Sequence, residues 1–134
     1  MNIGIIGKGN VGSALQRGLQ RAGHNVTTVG NEPDAMRQTA SAADVVIIAV
    51  PFRAVGDAVR ELGNTVDGKV LVDATNVIGP ERQLAVGFTT SGAEELQKKA
   101  PAAHVVKAFN TMFAQHMDSG RVKGETLSAF VASD

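Results

Sequence analysis

Apolar and polar positions follow two rhythms along this chain, and the switches between them mark the elements. Ile3, Ile5 and Ile6 form a short β-branched run that breaks at Gly7-Lys8-Gly9-Asn10-Val11-Gly12. A helical rhythm follows at once, with Val11, Leu15, Leu19 and Ala22 on one side and Gln16, Arg17, Gln20 and Arg21 between them. Gly23 ends that helix, and a second β-branched run, N-V-T-T-V, occupies 25–29. Strand, tight glycine turn, helix and strand make half of a right-handed parallel crossover. Positions 44–50 form a continuous apolar strand, as expected where both faces of a parallel sheet are covered, and Pro51 closes it. The spacing of Phe52, Val55, Val59 and Leu62 predicts a helix over 52–62, and V-L-V-D predicts a strand over 70–73. Ser91 and Glu94 have the spacing of a capping box opening a helix over 91–99. A strand over 102–108, a helix over 110–117 and a last strand over 127–132 complete the series.

Strands alternating with helices of about ten residues predict an α/β fold: a doubly wound, mostly parallel sheet of Rossmann-like type. It is expected to form one domain over 1–134. Two features depart from the usual pattern. Positions 30–43 hold at most one short helix and no strand, so the first half reads as reduced, its third strand missing. No helix follows the last strand, and an uncovered apolar strand predicts self-association as a dimer. The only long loop predicted is 75–90.

The glycine turn fits G-x-G-x-x-G after a strand and at the start of a helix. Gly7 permits the sharp turn, Gly9 lets the backbone approach a pyrophosphate, and Gly12 lets helix and strand pack closely. The helix start offers free N–H groups to phosphates, and Lys8, Asn10 and Val11 belong to the same turn. An acidic residue about 20 positions on grips the ribose hydroxyls in NAD-binding sheets. Glu32 stands there by count, beside Asn31. Its carboxylate repels a ribose phosphate, and Arg37 is the nearby cation able to fold back onto one. Glu32-Pro33-Asp34 reads equally well as a helix start. Ligands in such sheets sit at the carboxyl ends of the strands. Ala49, Val50 and Pro51, then Ala74, Thr75 and Asn76, then Ala108, Phe109 and Asn110 end three successive strands with small or amide-bearing residues, suited to an extended cofactor and its carboxamide. Thr75, Asn76 and Asn110 are also ordinary turn and cap residues.

Composition narrows the chemistry. The 134 residues carry thirteen basic and thirteen acidic side chains and no cysteine, which excludes disulfides, thiolate nucleophiles and Cys-built metal sites. Zero net charge without a basic cluster, Trp or Tyr argues against a nucleic-acid partner. The apolar run 45–50 is too short for a membrane span, and the start has neither a basic leader nor a cleavable apolar core. A cytoplasmic protein with no membrane partner is expected. His24, His104 and His116 are not spaced as a metal site, no serine has an elbow motif, and Lys107 reads as a stem buried along its strand. No catalytic acid, base or nucleophile and no metal is predicted. Hydride transfer suits that absence, because positioning two stacked rings does most of the work.

Four stretches together resemble the family of NADP-dependent reductases of the 8-hydroxy-5-deazaflavin coenzyme (the coenzyme-F420-dependent type): G-K-G-N-V-G-S-A-L, A-D-V-V-I-I-A-V-P, L-V-D-A-T-N and V-V-K-A-F-N-T. The reductase domain of metalloreductases that feed a transmembrane haem is similar too. The resemblance implies pyrophosphate held by 7–12, and nicotinamide flanked by Val50, Pro51, Thr75, Asn76, Ala108, Phe109 and Asn110. It also implies hydride passing directly to a flavin- or deazaflavin-like co-substrate. Members read G-S-R after the second strand, where this chain has Gly30-Asn31-Glu32, so NADP and NAD both remain open. Members also continue into a small helical region that supports dimerisation, which is expected to be absent here. The expected function is an NAD(P)-dependent oxidoreductase acting on a small redox substrate. The alternative is a non-catalytic NAD(P)-binding module or redox-sensing subunit completed by a partner chain.

Overall fold

The computed structural model describes residues 1–79, 81 and 83–134. Strand β1 (Asn2–Ile6) leads through the glycine turn into helix α1 (Asn10–Arg21), and β2 (Asn25–Val29) lies parallel to β1. Helix α2 (Pro33–Ala42) then carries the chain back to β3 (Val45–Ile48), which pairs with the other side of β1, Ile3 beside Val45. A single 3-10 turn (Phe52–Ala54) opens helix α3 (Val55–Leu62), and a second (Gly63–Val66) closes it. Strand β4 (Val70–Asp73), helix α4 (Gly92–Lys99) and strand β5 (His104–Ala108) follow. The chain ends with a short helix α5 (Ala114–Met117), a hairpin of β6 (Arg121–Val122) and β7 (Glu125–Thr126), and strand β8 (Val131–Ala132). The main sheet runs β2-β1-β3-β4-β5-β8, parallel except for β8, which is antiparallel to β5.

β2 is the edge of that sheet, and 30–44 contributes α2 but no strand, so the first half is reduced as expected. Strand order reverses between β1 and β3, which puts the switch point beside the glycine turn. The central strands β1, β3 and β4 are mostly apolar because both faces are covered there. Ile6, Val46, Ile48 and Leu71 pack with Met36, Val59, Leu62 and Leu96 of α2, α3 and α4. Ile3, Ile5, Val26, Ile47 and Val72 pack on the other face with Ala14 and Leu15 of α1 and Met117 of α5. Arg17 of α1 ties α5 down through Asp118, Nε to Oδ2 at 2.7 Å. That bond foremost, with Arg21 assisting, holds the Asp118 carboxyl below the usual range.

Several expected elements are shorter in the structure, among them the strand expected over 44–50, which is only Val45–Ile48. The helix expected over 110–117 is only Ala114–Met117. Phe109 adopts φ +66°, which breaks the chain direction, and Phe113 rather than Asn110 stands at the helix start. The strand expected over 127–132 pairs only through Val131 and Ala132. Strand β5 begins at His104 rather than 102. The β6–β7 hairpin, unpredicted, turns on Lys123 and Gly124, both at positive φ as a two-residue hairpin turn requires. In the 75–90 loop, positions 80 and 82 lie outside the described residues.

Candidate nicotinamide-coenzyme site

The glycine turn is built by close approach. Gly7 has φ +122°, its amide donates to the Val29 carbonyl at 2.8 Å, and a Cβ there would lie 2.3 Å from the Ala49 carbonyl oxygen. A Cβ on Gly12 would lie 1.9 Å from the Gly7 carbonyl oxygen. These two residues therefore lock α1 onto the ends of β1, β2 and β3. Gly9 differs, because a Cβ there would meet no protein atom within 4 Å. Gly9 is the residue before the first turn of α1, which has no side-chain cap and no acidic residue. The amides of that first turn are left as donors at the positive end of the helix. The turn offers backbone donors, a glycine open to the outside and no competing carboxylate: it fits a diphosphate.

Next to the turn lies a cleft of about 280 Å³, lined by Gly9, Asn10, Val11, Ala49, Val50, Pro51, Phe52, Ala74, Thr75 and Asn76. The structure thus brings the ends of β1, β3 and β4 together as expected. Phe52 joins them. Sequence periodicity places Phe52 on the apolar side of a helix, but its 3-10 turn starts directly at Pro51, beside the cleft.

The remaining candidates lie elsewhere. Ala108 is buried with Ala74 in the core below, and Phe109 packs against that cluster. Phe109 lines a separate recess with Leu19 and Met117. Asn110 is half-buried in the turn after β5. Lys8 and Asn31 are exposed. Glu32 occupies the helix-start position of α2, with Pro33 next, and folds back over Gly30, where a Cβ would lie 2.8 Å from its Oε2. Arg37 faces α3 instead of the end of β2. Its Nη2 donates to Asp34 Oδ1 at 2.6 Å, and its Nη1 to Glu61 Oε2 at 3.2 Å. These bonds, Asp34 foremost, raise its already high pKa further.

A buried polar group missed by sequence reasoning lies under the cleft. Asp73, 1% exposed, ends β4 directly beside Lys107 of β5. Its Oδ2 accepts from Lys107 Nζ at 2.9 Å, and its Oδ1 accepts from the Thr75 amide at 2.8 Å and the Thr75 hydroxyl at 2.7 Å. Lys107 Nζ also donates to the Thr75 carbonyl. Residues 73 and 107 pair only through strand register, which the sequence alone does not display.

The sequence profile described as NADP oxidoreductase, coenzyme F420-dependent, matches residues 2–77, more than half of the chain. The chain belongs to that family. A crystal structure of a candidate F420-dependent NADP reductase from Arthrobacter sp. FB24 superposes with TM-score 0.89 at 30% identity, over 100% of this chain and 74% of that one. A hypothetical protein of Sinorhizobium meliloti superposes with TM-score 0.76 at 28% identity, over the same shares of the two chains. Among curated proteins, rat metalloreductase STEAP3 is 29% identical over 131 residues, 88% of this chain and 26% of that protein. The chain thus spans about a quarter of that curated relative. The fold is Rossmann-like, and the family profile covers the glycine turn, β3 and the cleft wall through Asn76. No helix among the described residues is long and apolar enough to cross a membrane.

Proposed function

We propose that this chain binds NADPH or NADH across the switch point and passes hydride between the nicotinamide and a flavin- or deazaflavin-like acceptor. The observation that carries the reading is the uncapped start of α1 opening onto the cleft between the ends of β1, β3 and β4. The nicotinamide, when bound, supplies the hydride. The first-turn amides of α1 hold the diphosphate, Ala49, Val50 and Pro51 form a small apolar wall, and the Asn76 amide is the group suited to a carboxamide. None of the described residues lining the cleft has an ionisable side chain. Rate there comes from placement and exclusion of water, not from proton transfer. The family's coenzyme is NADP, whereas Asn31 and Glu32 at the end of β2 suit a plain ribose diol.

The test has two stages. Titration with NADPH and NADH, followed by calorimetry or nicotinamide fluorescence, should saturate with at least one; no saturation at millimolar coenzyme refutes the reading. Loaded protein is then mixed with flavins, deazaflavins and quinones. Turnover of a flavin-like acceptor supports the oxidoreductase. Tight binding with no turnover of any acceptor supports the alternative, a binding module completed by a partner.

That alternative draws on a specific feature: Phe130 and Val131 are both 67% exposed at the β5–β8 edge. We propose that a second copy covers this face, which sedimentation would show as a dimer. The proposal also carries a cytoplasmic location, which cell fractionation checks.

A further inference from the structure

The Lys107–Asp73 pair has an unusual set of partners. Among the described residues, every hydrogen bond of the two side chains joins them to each other or to Thr75. The ladder already fastens β4 to β5, with Val70, Leu71, Val72 and Asp73 opposite His104, Val105, Val106 and Lys107. A buried ion pair is a poor way to add stability, since an apolar pair of similar size commonly does as well or better. What the charges do here is fix one short segment, 73–75, at the wall of the cleft. Thr75 is used up in the process. Its amide, hydroxyl proton and carbonyl are all engaged by Asp73 and Lys107, and it is 5% exposed. Asn76, the next residue, is exposed and lines the cleft. The segment is also pressed from behind, because a Cβ on Gly92 would lie 2.6 Å from Val77 Cγ1 and 3.5 Å from the Phe52 ring.

We propose that Asp73 and Lys107 are positioning residues for the nicotinamide end of the coenzyme, and that Asn76 rather than Thr75 is the residue of this segment that touches it. The inference rests on the coenzyme reading above. Lys107 and Asp73 set the path of 74–76, and that path aims the Asn76 amide. Breaking the clamp therefore damages recognition of the nicotinamide alone; the diphosphate stays held by α1 across the cleft.

The test compares two probes: NADPH, and 2′-phospho-ADP-ribose, which is the same molecule without its nicotinamide. Lys107→Met, Asp73→Asn and Asn76→Ala should each weaken NADPH by about five- to tenfold, the loss of roughly one hydrogen bond. Affinity for 2′-phospho-ADP-ribose should stay within about twofold, since the diphosphate donors of α1 are untouched. Asp73→Asn keeps an acceptor for Thr75 and serves if Lys107→Met does not fold. A double variant, Asp73→Asn with Lys107→Met, should recover part of the melting temperature without recovering NADPH affinity, because both charges go together while an acceptor for the Thr75 amide and hydroxyl stays. Equal weakening of both probes, unchanged NADPH affinity, or affinity that returns with melting temperature would each show a merely structural pair. If the unaltered protein binds neither probe, the same comparison is run with NADH and ADP-ribose; failure of those as well refutes the coenzyme reading, and this inference with it.

Discussion

Gly12→Ala tests the frame on which the site is built. The added Cβ would sit 1.9 Å from the Gly7 carbonyl oxygen, 3.0 Å from its carbon and 3.5 Å from Ile5 Cγ2. A carbon and an oxygen approach to about 3.3 Å at closest, so α1 must withdraw by about 1.4 Å. Ala14 and Leu15, both buried, would then lift from Ile3, Ile5 and Val26, and a gap of that size forfeits a large part of their contact. Overpacking of this kind costs about 1–3 kcal/mol, while exchanging glycine for alanine inside a helix returns at most about 1 kcal/mol. A net loss of about 1–2 kcal/mol should lower the melting temperature by roughly 4–7 °C for a chain of this size. Coenzyme affinity should fall further than stability. The first-turn amides move by more than an ångström, and one charge-assisted bond is worth about 1.5–3 kcal/mol, at least a tenfold loss. Gly56→Ala is the control. It lies within α3, where a Cβ meets only Lys99 Cε at 3.8 Å. It should stabilise by about 0.5–1 kcal/mol and leave coenzyme binding unchanged. Thermal melts and fluorescence titration with NADPH read both quantities. If Gly12→Ala binds NADPH as tightly as the unaltered protein, close docking of α1 is not what holds the diphosphate.

Glu32→Arg should raise affinity for NADPH relative to NADH by about tenfold, as repulsion of the ribose phosphate becomes attraction. Unchanged relative affinities in fluorescence titration would leave Glu32 as a helix-start residue only. Ser91→Ala should cost about 1 kcal/mol in chemical denaturation, since Ser91 Oγ accepts from the Glu94 amide at 3.2 Å. Bonds from Ser91, side chain first and then backbone, hold the Glu94 carboxyl below the usual range. Its folded pKa is therefore depressed, and its contribution is present above the unfolded value of about 4.3 and lost as pH falls through the lower folded value. Melting temperatures from pH 6 downward should show a shallower acid decline in Ser91→Ala. Phe130→Ser with Val131→Ser should shift sedimentation toward the monomer without altering coenzyme affinity; an unchanged sedimentation coefficient would place any interface elsewhere.

Much of this architecture is legible before any coordinates. The β-branched runs at 3–6, 25–29 and 70–73 are strands within a residue of their observed bounds, because little but a strand suits short runs bounded by glycine turns. Ser91 and Glu94 make both bonds of their capping box. Local chemistry determines such features. Where contacts distant in sequence decide, the reading falters. Residues 110–113 carry a helical pattern but follow Phe109 at positive φ, and the Met112 amide turns back to the Phe109 carbonyl at 3.3 Å. Arg37 stands five residues from Glu32, yet the phase of α2 delivers it to Glu61 of α3. The clamp beneath the cleft joins residues 34 apart, and only the β4–β5 register unites them.

The position of β2 at the margin of the sheet has a consequence for how coenzyme preference changes. No further strand takes its alignment from β2, so the three residues 30–32 can be exchanged or lengthened without propagating an error into neighbouring pairs. In a fuller fold of this kind, the same graft would disturb the entry to another strand. On the proposed coenzyme reading, recognition of the adenosine end would sit on a free hem, and swapping a tripeptide would be the shortest route to re-targeting it.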